Sequence, residues 1–262
     1  MTPGDFRFLA DLLKDRSGLI VGEDKQYLLD SRLTPVARKH GLSDLNALVG
    51  ALKTKKDGPL SKDVVEAMTT NESFFFRDMT PFEKFKKVVL PHMKQARPDR
   101  SLKIWSAACS SGQEPYSLSM VMKEDAPDFA NWRIDILATD LSEEMIQSAK
   151  DGVYSQFEVQ RGLPVQLMLK YFKQEGDRWR INSDLRKNIR FQTFNLLSPM
   201  SGLGKFDVVF CRNVLIYFDQ PTKGKVLDAI AKVMAPDGFL FLGGAETVIG
   251  VTNAFKPHPD ER

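Results

Sequence analysis

The chain has 262 residues, 42% of them hydrophobic, and a formal net charge of +3. This composition is typical of a globular protein with room for one α/β domain and a small satellite. It excludes a membrane-spanning helix, which needs about 18 apolar residues in a row. The small net charge gives no support for nucleic-acid binding, and two cysteines, Cys109 and Cys211, are too few for a disulfide framework or a metal site.

The N-terminal segment mixes acidic and basic residues and lacks the apolar core of a signal peptide, so we expect a cytoplasmic protein, and a monomer. Positive charge is concentrated in residues 1–100, which carry 18 Lys+Arg and 14 Asp+Glu. Residues 101–262 carry 19 and 20. Such an excess suits an acidic protein partner, although solvated helix faces explain most biases of this kind.

Apolar residues at helical spacing predict four short helices within residues 1–69. The first should end at Gly18. The second should run over about residues 24–40, with Pro35 kinking or interrupting it. Ser43 and Ser61 are the expected N-caps of the third and fourth helices.

After residue 69 the helical pattern breaks, and the tetrapeptide TPFE at residues 80–83 predicts a capping box that starts a helix ending near Lys94. From residue 101, short apolar segments alternate with helical ones, which predicts parallel crossovers and a doubly wound sheet. The strands are expected at residues 102–107, 133–139, 189–194, 206–211 and 238–243.

One stretch interrupts the alternation. Residues 151–187 contain a short helix near residues 164–170 and a hairpin that turns at Gly176-Asp177, which together predict a small insertion at the edge of the sheet. The expected organisation is a helical domain at residues 1–69, a linker and connecting helix at 70–100, and an α/β domain at 101–262 that contains this insertion.

Ligands of open parallel sheets bind at the carboxyl ends of the strands. The segment after the first strand, SAACSSGQEPY at residues 106–116, is rich in small residues but has one glycine, followed by Glu114. A diphosphate would need several close glycines and no nearby carboxylate, whereas a cationic ligand tolerates the acid. An equally good alternative is that Glu114 is a first-turn acid that interacts with the helix dipole.

Asp140 ends the second predicted strand. An acid at this position typically accepts hydrogen bonds from both ribose hydroxyls of a nucleoside. The alternative is a helix cap, but Ser142 already suits that role. This residue does not distinguish a nicotinamide dinucleotide from S-adenosylmethionine.

Two further segments are more specific, NESFFFR at residues 71–77 and CRNVLIYF at residues 211–218. Together with WSAACSSGQEPYS and ATDLS, they resemble the chemotaxis receptor methyltransferase (CheR) family, in the same order and over nearly the whole chain. The resemblance implies a Rossmann-like S-adenosylmethionine methyltransferase sheet, an all-helical N-terminal domain and a small inserted antiparallel β-subdomain. The cofactor would be S-adenosylmethionine, leaving as S-adenosylhomocysteine.

The resemblance also implies roles for individual side chains. Arg77 and Tyr217 match catalytic positions, although Arg77 could instead form a surface ion pair and Tyr217 could be a core tyrosine with a satisfied hydroxyl. The positions that match cofactor contacts of the family are Asn71, Ser73, Arg77, Glu114, Asp140, Asn195, Leu196, Arg212 and Asn213.

The implied reaction is methylation of glutamate side chains on chemotaxis receptors, giving glutamyl 5-O-methyl esters for sensory adaptation. A glutamate with a pKa near ~4.3 is already ionised at neutral pH, so no general base is required. The receptor's acidic cytoplasmic helices would contact basic residues such as Arg32, Arg38 and Lys39, and the alternative for these is a solvated basic face.

Two other functions remain open from the residues alone. A nicotinamide-dependent oxidoreductase is disfavoured by the missing glycine triplet and by Glu114. A non-catalytic regulator that binds S-adenosylmethionine within a signalling complex is disfavoured because both expected catalytic residues are present.

Overall fold

The structure is a computed structural model that describes residues 1–259. Its N-terminal part consists of four helices that bury a shared core of leucine, valine and phenylalanine side chains. The helices are α1 (Pro3–Ser17), α2 (Gln26–Lys39), α3 (Leu45–Thr54) and α4 (Pro59–Met68). As expected, α1 ends at Gly18, which has a left-handed φ of 78° that glycine adopts without steric cost.

The starts of two helices differ from the sequence-based expectation. Asp44, not Ser43, caps α3, accepting a hydrogen bond from the Ala47 N–H at 2.8 Å. The fourth helix begins at Pro59, so Ser61 lies inside its first turn instead of capping it. Proline suits the first helical position because the N–H it lacks would have no partner there.

Pro35 does not interrupt α2, which continues to Lys39. The expected capping box at residues 80–83 is wrong, because Met79 precedes the helix and no side chain caps it. This connecting helix comprises α5 (Thr80–Lys84), a π-helical turn (Phe85–Val89) and α6 (Leu90–Ala96).

A sheet of five parallel strands forms the rest of the core, in the order β6-β2-β1-β7-β8. Leu102 and Ile104 of β1 face one apolar cluster and Trp105 and Ala107 face another, so the sheet is covered on both sides. The strands are β1 (Ser101–Ala107), β2 (Arg133–Asp140), β6 (Ile189–Thr193), β7 (Phe206–Cys211) and β8 (Met234–Leu242). The helices that connect them are α7 (Gln113–Glu124), α8 (Glu143–Asp151) and α12 (Gln220–Lys232).

The insertion between β2 and β6 forms a second, antiparallel sheet in the order β3-β5-β4. The predicted hairpin is present, and a third strand that the sequence did not reveal pairs with it. The insertion consists of β3 (Val153–Ser155), α9 (Gln156–Gln160), α10 (Val165–Tyr171), β4 (Phe172–Glu175), β5 (Arg178–Ile181) and α11 (Ser183–Arg186).

The linker packs on the insertion through Phe75, which is fully buried and makes edge-on ring contacts with Tyr154 at 5.1 Å and Phe172 at 5.5 Å. The predicted α/β architecture, with a helical N-terminal part and an antiparallel insertion, is confirmed. The strand order reverses at β1, which lies between β2 and β7, so the ligand crevice should open at its carboxyl end. No helix within residues 1–259 is long and apolar enough to cross a bilayer.

Candidate active site

One cleft lies at the carboxyl ends of β1, β2, β6 and β7, and the linker and the end of α1 close it from the opposite side. It holds about 1010 Å³ of empty space, counting the part open to solvent. All ten side chains predicted for the site line it: Asn71, Ser73, Arg77, Glu114, Asp140, Asn195, Leu196, Arg212, Asn213 and Tyr217.

The loop after β1 has an unusual backbone. Ala108 and Ser110 have φ values of 61° and 50°, in the left-handed region that residues other than glycine rarely adopt. The loop is held by a hydrogen bond from the Cys109 N–H to the Thr139 carbonyl at 2.8 Å. The Ser110 hydroxyl donates to the Asn71 carbonyl at 2.8 Å, so the loop also fixes the linker. Such conformations persist where surrounding contacts impose them, which is common at ligand sites.

Asp140 is buried and its carboxylate accepts two backbone hydrogen bonds, from the Ser110 N–H at 2.7 Å and the Ser142 N–H at 2.9 Å. Ser142 caps α8, accepting from the Met145 N–H at 3.0 Å, so the cap role is filled as expected. Burial raises the pKa of Asp140, against the lowering effect of the two N–H donors. Each carboxylate oxygen retains capacity for a further donor, as a pair of ribose hydroxyls would provide.

Glu114 and Arg212 form a linked pair beneath the cleft. One Glu114 oxygen accepts from the Ser106 hydroxyl at 2.8 Å and the other from the Arg212 guanidinium at 3.1 Å. Arg212 is nearly inaccessible and also donates to the Arg77 carbonyl at 2.9 Å and the Asp78 carboxylate at 2.7 Å. Glu114 is therefore more than a first-turn acid, because it helps to fix the arginine that ties the linker to the sheet.

Arg77 is half-buried at the cleft. Its guanidinium donates to the Glu72 carbonyl at 2.8 Å and lies 5.6 Å from the Phe74 ring centre. The Glu72 carboxylate pairs instead with Arg161, which lowers the pKa of Glu72. Within residues 1–259 no carboxylate lies within ion-pair distance of Arg77, so the surface ion pair considered from the sequence is not what the structure shows.

Tyr217 ends a short 3₁₀ turn (Leu215–Tyr217) and is half-buried. Its backbone carbonyl accepts a hydrogen bond from the Ile20 N–H at 3.0 Å. Its hydroxyl has no hydrogen-bond partner in the described part of the chain. Tyr217 therefore differs from a core tyrosine with a satisfied hydroxyl, and its polar end remains available at the cleft.

Asn195 and Leu196 form the cleft wall beside β6. The Asn195 side-chain amide donates to the Arg16 carbonyl at the end of α1 at 2.6 Å, and its oxygen accepts from the Leu197 N–H at 2.9 Å. Asn195 thus joins the helical part to the sheet as well as lining the cleft. Leu196 is buried and provides an apolar surface.

The linker side chains Asn71 and Ser73 lie on the opposite wall. The Asn71 side chain donates to the Thr69 hydroxyl at 3.2 Å. Ser73 lines the cleft next to Phe74. The individual binding roles of these side chains stay predictions.

Several residues outside the ten predicted for the site also contribute. Ser17 and Leu19, which follow from α1, line the cleft, and Glu246 fixes the turn after β7. An acid shortly after the last strand was the available signal for Glu246. Cys109 lines the cleft but is buried, and burial raises the pKa of its thiol, so it packs as a small hydrophobic residue.

The side chains that line the cleft fit S-adenosylmethionine. The cleft offers two carboxylates, Glu114 and Asp140, for an ammonium and a ribose, and an apolar wall at Leu196 for a base. It offers no run of glycine N–H groups for a diphosphate, because Gly112 is the single glycine of the loop after β1. Residues 1–259 contain no group of three or more histidine, cysteine or acidic side chains placed to hold a metal ion.

Comparison with known proteins agrees with this fit. Residues 4–69 match the all-alpha domain of CheR methyltransferases and residues 71–262 match the SAM binding domain of CheR methyltransferases. The chain is 41% identical to chemotaxis protein methyltransferase Cher2 of Pseudomonas putida and 43% identical to chemotaxis protein methyltransferase 1 of Pseudomonas aeruginosa. Each match covers 96% of this chain and 93% of the relative.

A third relative, chemotaxis protein methyltransferase 1 of Vibrio cholerae, is 39% identical, with 96% of this chain and 92% of the relative covered. These matches exclude the oxidoreductase alternative and identify the cofactor as S-adenosylmethionine. The chain belongs to the CheR methyltransferase family and is an S-adenosylmethionine-dependent methyltransferase.

Proposed function

We propose that the enzyme methylates glutamate side chains of chemotaxis receptors in the cytoplasm, giving glutamyl 5-O-methyl esters. The names of the relatives support a role in chemotaxis. The observation that carries the choice of acceptor is the Arg77 guanidinium, which lines the cleft without a carboxylate partner within residues 1–259. A cation in this state can bind an acceptor carboxylate by charge-assisted hydrogen bonds.

Methyl transfer to a carboxylate requires no proton transfer by the protein. Bound S-adenosylmethionine supplies a methyl group activated by its sulfonium. The acceptor carboxylate is ionised at neutral pH, so Arg77 needs only to hold it and Tyr217 to orient it. The half-buried positions of both side chains would reduce the water around the acceptor, which favours a reaction in which opposite charges are neutralised.

We propose that residues 1–69 recognise the receptor and that residues 101–262 carry out methyl transfer. Residues 70–100 would connect these two domains. The basic residues of α2 do not contribute equally to this proposal. Arg32 donates to the Met68 and Thr69 carbonyls at 2.9 and 3.1 Å, so it caps the end of α4. Arg38 is exposed, and Lys39 is exposed although it pairs with Asp63. Arg38 and Lys39 are therefore the better candidates to meet an acidic receptor helix.

The experiment is transfer of radiolabelled methyl groups to membranes that contain a chemotaxis receptor. We expect label on the receptor that mild base releases as volatile methanol, because carboxyl esters hydrolyse in base and N-methyl groups do not. Receptor with its acceptor glutamates changed to alanine is the control and should stay unlabelled. Base-stable label would contradict glutamate as the acceptor. No label despite intact cofactor binding would contradict the receptor as the substrate.

A further inference from the structure

Glu246 lies four residues after β8, yet it organises the turn that follows β7. Its carboxylate accepts backbone N–H hydrogen bonds at 2.6 to 3.3 Å from five residues: Asn213, Val214, Leu215, Ile216 and Gly243. A carboxylate has about four lone-pair positions. This one is therefore saturated by protein donors and has no capacity left for a ligand.

Four of the five donors are consecutive, and they begin the 3₁₀ turn at residues 215–217. The first N–H groups of a helical turn have no partner within the turn, and a run of them forms a concave site for an anion. Asn213 has a φ of 58°, in the left-handed region. A residue other than glycine keeps this conformation only where surrounding contacts hold it. Glu246 supplies the anion and thereby holds this conformation.

The end of β8 is adapted to the same contact. A Cβ atom on Gly243 would lie 2.7 Å from the Asn213 side-chain nitrogen and 2.8 Å from a Glu246 oxygen. Because real Cβ atoms do not approach so closely, glycine is required for the carboxylate to reach the turn. Gly243 and Glu246 therefore act together as one anchor.

The turn is held from its other side by the segment after α1. The Ile20 N–H donates to the Tyr217 carbonyl at 3.0 Å, and a Cβ atom on Gly18 would lie 2.8 Å from the Phe218 ring. The turn between these contacts carries five cleft-lining residues: Arg212, Asn213, Val214, Tyr217 and Phe218.

We propose that Glu246 is a positioning residue for methyl transfer: without touching either substrate, it sets the turn that presents Asn213 and Tyr217 to the cleft. The inference rests on the proposed function, because it takes Tyr217 to orient the acceptor. It extends that function by naming the group that holds Tyr217 in place.

The test is Glu246→Gln, which keeps the size of the side chain but replaces one oxygen with an NH₂ group that faces backbone donors. A displacement of about 1 Å at a reacting group lowers turnover by about 100-fold, and we expect a loss of kcat of this order with receptor KM changed less than about threefold. Hydrogen exchange at the amides of residues 213–216 should accelerate while exchange in β1 and β2 stays slow. Glu246→Asp, which keeps the charge, should recover part of kcat.

Asp228→Asn is the matched control, because Asp228 is an acid on α12 that bonds to the Thr252 hydroxyl outside the cleft. It should leave kcat and the exchange of residues 213–216 unchanged. Wild-type kcat in Glu246→Gln, or a loss that only follows the folded fraction, would overturn the proposal. If Glu246→Gln does not fold, the same kcat and exchange measurements on Glu246→Asp decide the question.

The experiment also distinguishes failure of the positioning role from failure of the proposed receptor methylation. In the latter case the wild-type enzyme does not methylate the receptor, and the positioning role is tested by amide exchange and by affinity for S-adenosylhomocysteine. Faster exchange at residues 213–216 with weaker binding in Glu246→Gln supports the anchor, and unchanged values overturn it.

Discussion

The cleft has two walls that are built in different ways. On the sheet side, buried or half-buried carboxylates hold the turns after the strands through backbone N–H groups, as Asp140 and Glu246 do. On the helical side, the end of α1 and the segment that follows it meet the sheet through a few contacts near the surface, among them the pair of Lys14 with Asp219 at 2.8 Å. The sheet wall is thus preorganised, whereas the helical wall is attached more weakly and could separate when product leaves.

The largest effect is expected for Arg77→Ala, since Arg77 would bind the acceptor directly. Removal of one charge-stabilising donor at a reacting centre typically lowers kcat by about 100- to 1,000-fold. The melting temperature should change little, because the Arg77 side chain is half-buried and donates to a single carbonyl. Arg190→Ala, on the exposed edge strand β6 and paired with Asp135, is the control. Turnover within a factor of three of the wild type would exclude the role.

Asp140→Ala should weaken cofactor binding next most strongly. Hydrogen bonds to a charged group contribute about 1.5–3 kcal/mol each, so the loss of one or two ribose contacts corresponds to roughly 10- to 100-fold or more in Kd, measured by titration calorimetry. Ser142→Ala serves as the control, because it removes the cap of α8 but leaves the Asp140 carboxylate. An unchanged Kd in Asp140→Ala would contradict the ribose contact.

The pKa of Asp140 adds a pH dependence to the same binding. Burial raises this pKa above that of an ordinary aspartate, about 3.9. The ionised carboxylate is the form that accepts hydrogen bonds from both ribose hydroxyls, so affinity should fall as pH decreases through the raised pKa, at a higher pH than for an exposed aspartate. Asp140→Asn should remove this dependence. An identical pH profile in that variant would assign the titration to another group.

A smaller effect is expected for Arg38→Glu on α2, which we propose meets the receptor. Reversal of an exposed charge at a rim changes association more than the bound state, so receptor KM should rise about 3- to 10-fold with kcat and cofactor Kd unchanged. Arg32→Glu is the informative comparison, because it removes the cap of α4 and should lower the melting temperature. Equal KM for Arg38→Glu and the wild type would place receptor binding elsewhere.

The smallest effect is expected for Lys14→Ala, which tests the helical wall. Lys14 and Asp219 are partly exposed, and exposed ion pairs contribute little. Release of S-adenosylhomocysteine, followed by stopped-flow fluorescence, should accelerate by less than about fivefold, with saturated kcat unchanged or slightly higher. Lys53→Ala, which loses its pair with Asp5 away from the cleft, is the control. A loss of kcat comparable to that of Arg77→Ala would refute the contrast between the walls.

The sequence located the five strands of the main sheet, because most of them are short apolar runs followed by small or polar residues. The start of β8 was wrong, because this strand begins at Met234 and not at the predicted Gly238. The prediction failed where a contact is not local. β3 has three residues and exists only through pairing with β5, and no periodicity can be read from so short a segment. The starts of α3 and α4 were wrong because Asp44 takes the cap position of α3 next to Ser43, and Pro59 begins α4 two residues before the expected cap, Ser61.

The cleft itself was predictable because parallel strands bring their carboxyl ends to one edge, so residues from distant motifs had to meet. The contacts among those residues were not predictable. Nothing local to Arg212 indicates that it would pair with Glu114 and Asp78. Likewise nothing near residue 246 indicates a saturated carboxylate, since four of its five donors lie about thirty residues earlier.

The most direct test of the central claim is a crystal structure of the enzyme with S-adenosylhomocysteine. The account requires the ribose hydroxyls on the Asp140 carboxylate, the base beside Leu196 and the sulfur facing Arg77 and Tyr217. A product molecule bound outside this cleft, or bound within it with its ribose away from Asp140, would contradict the account.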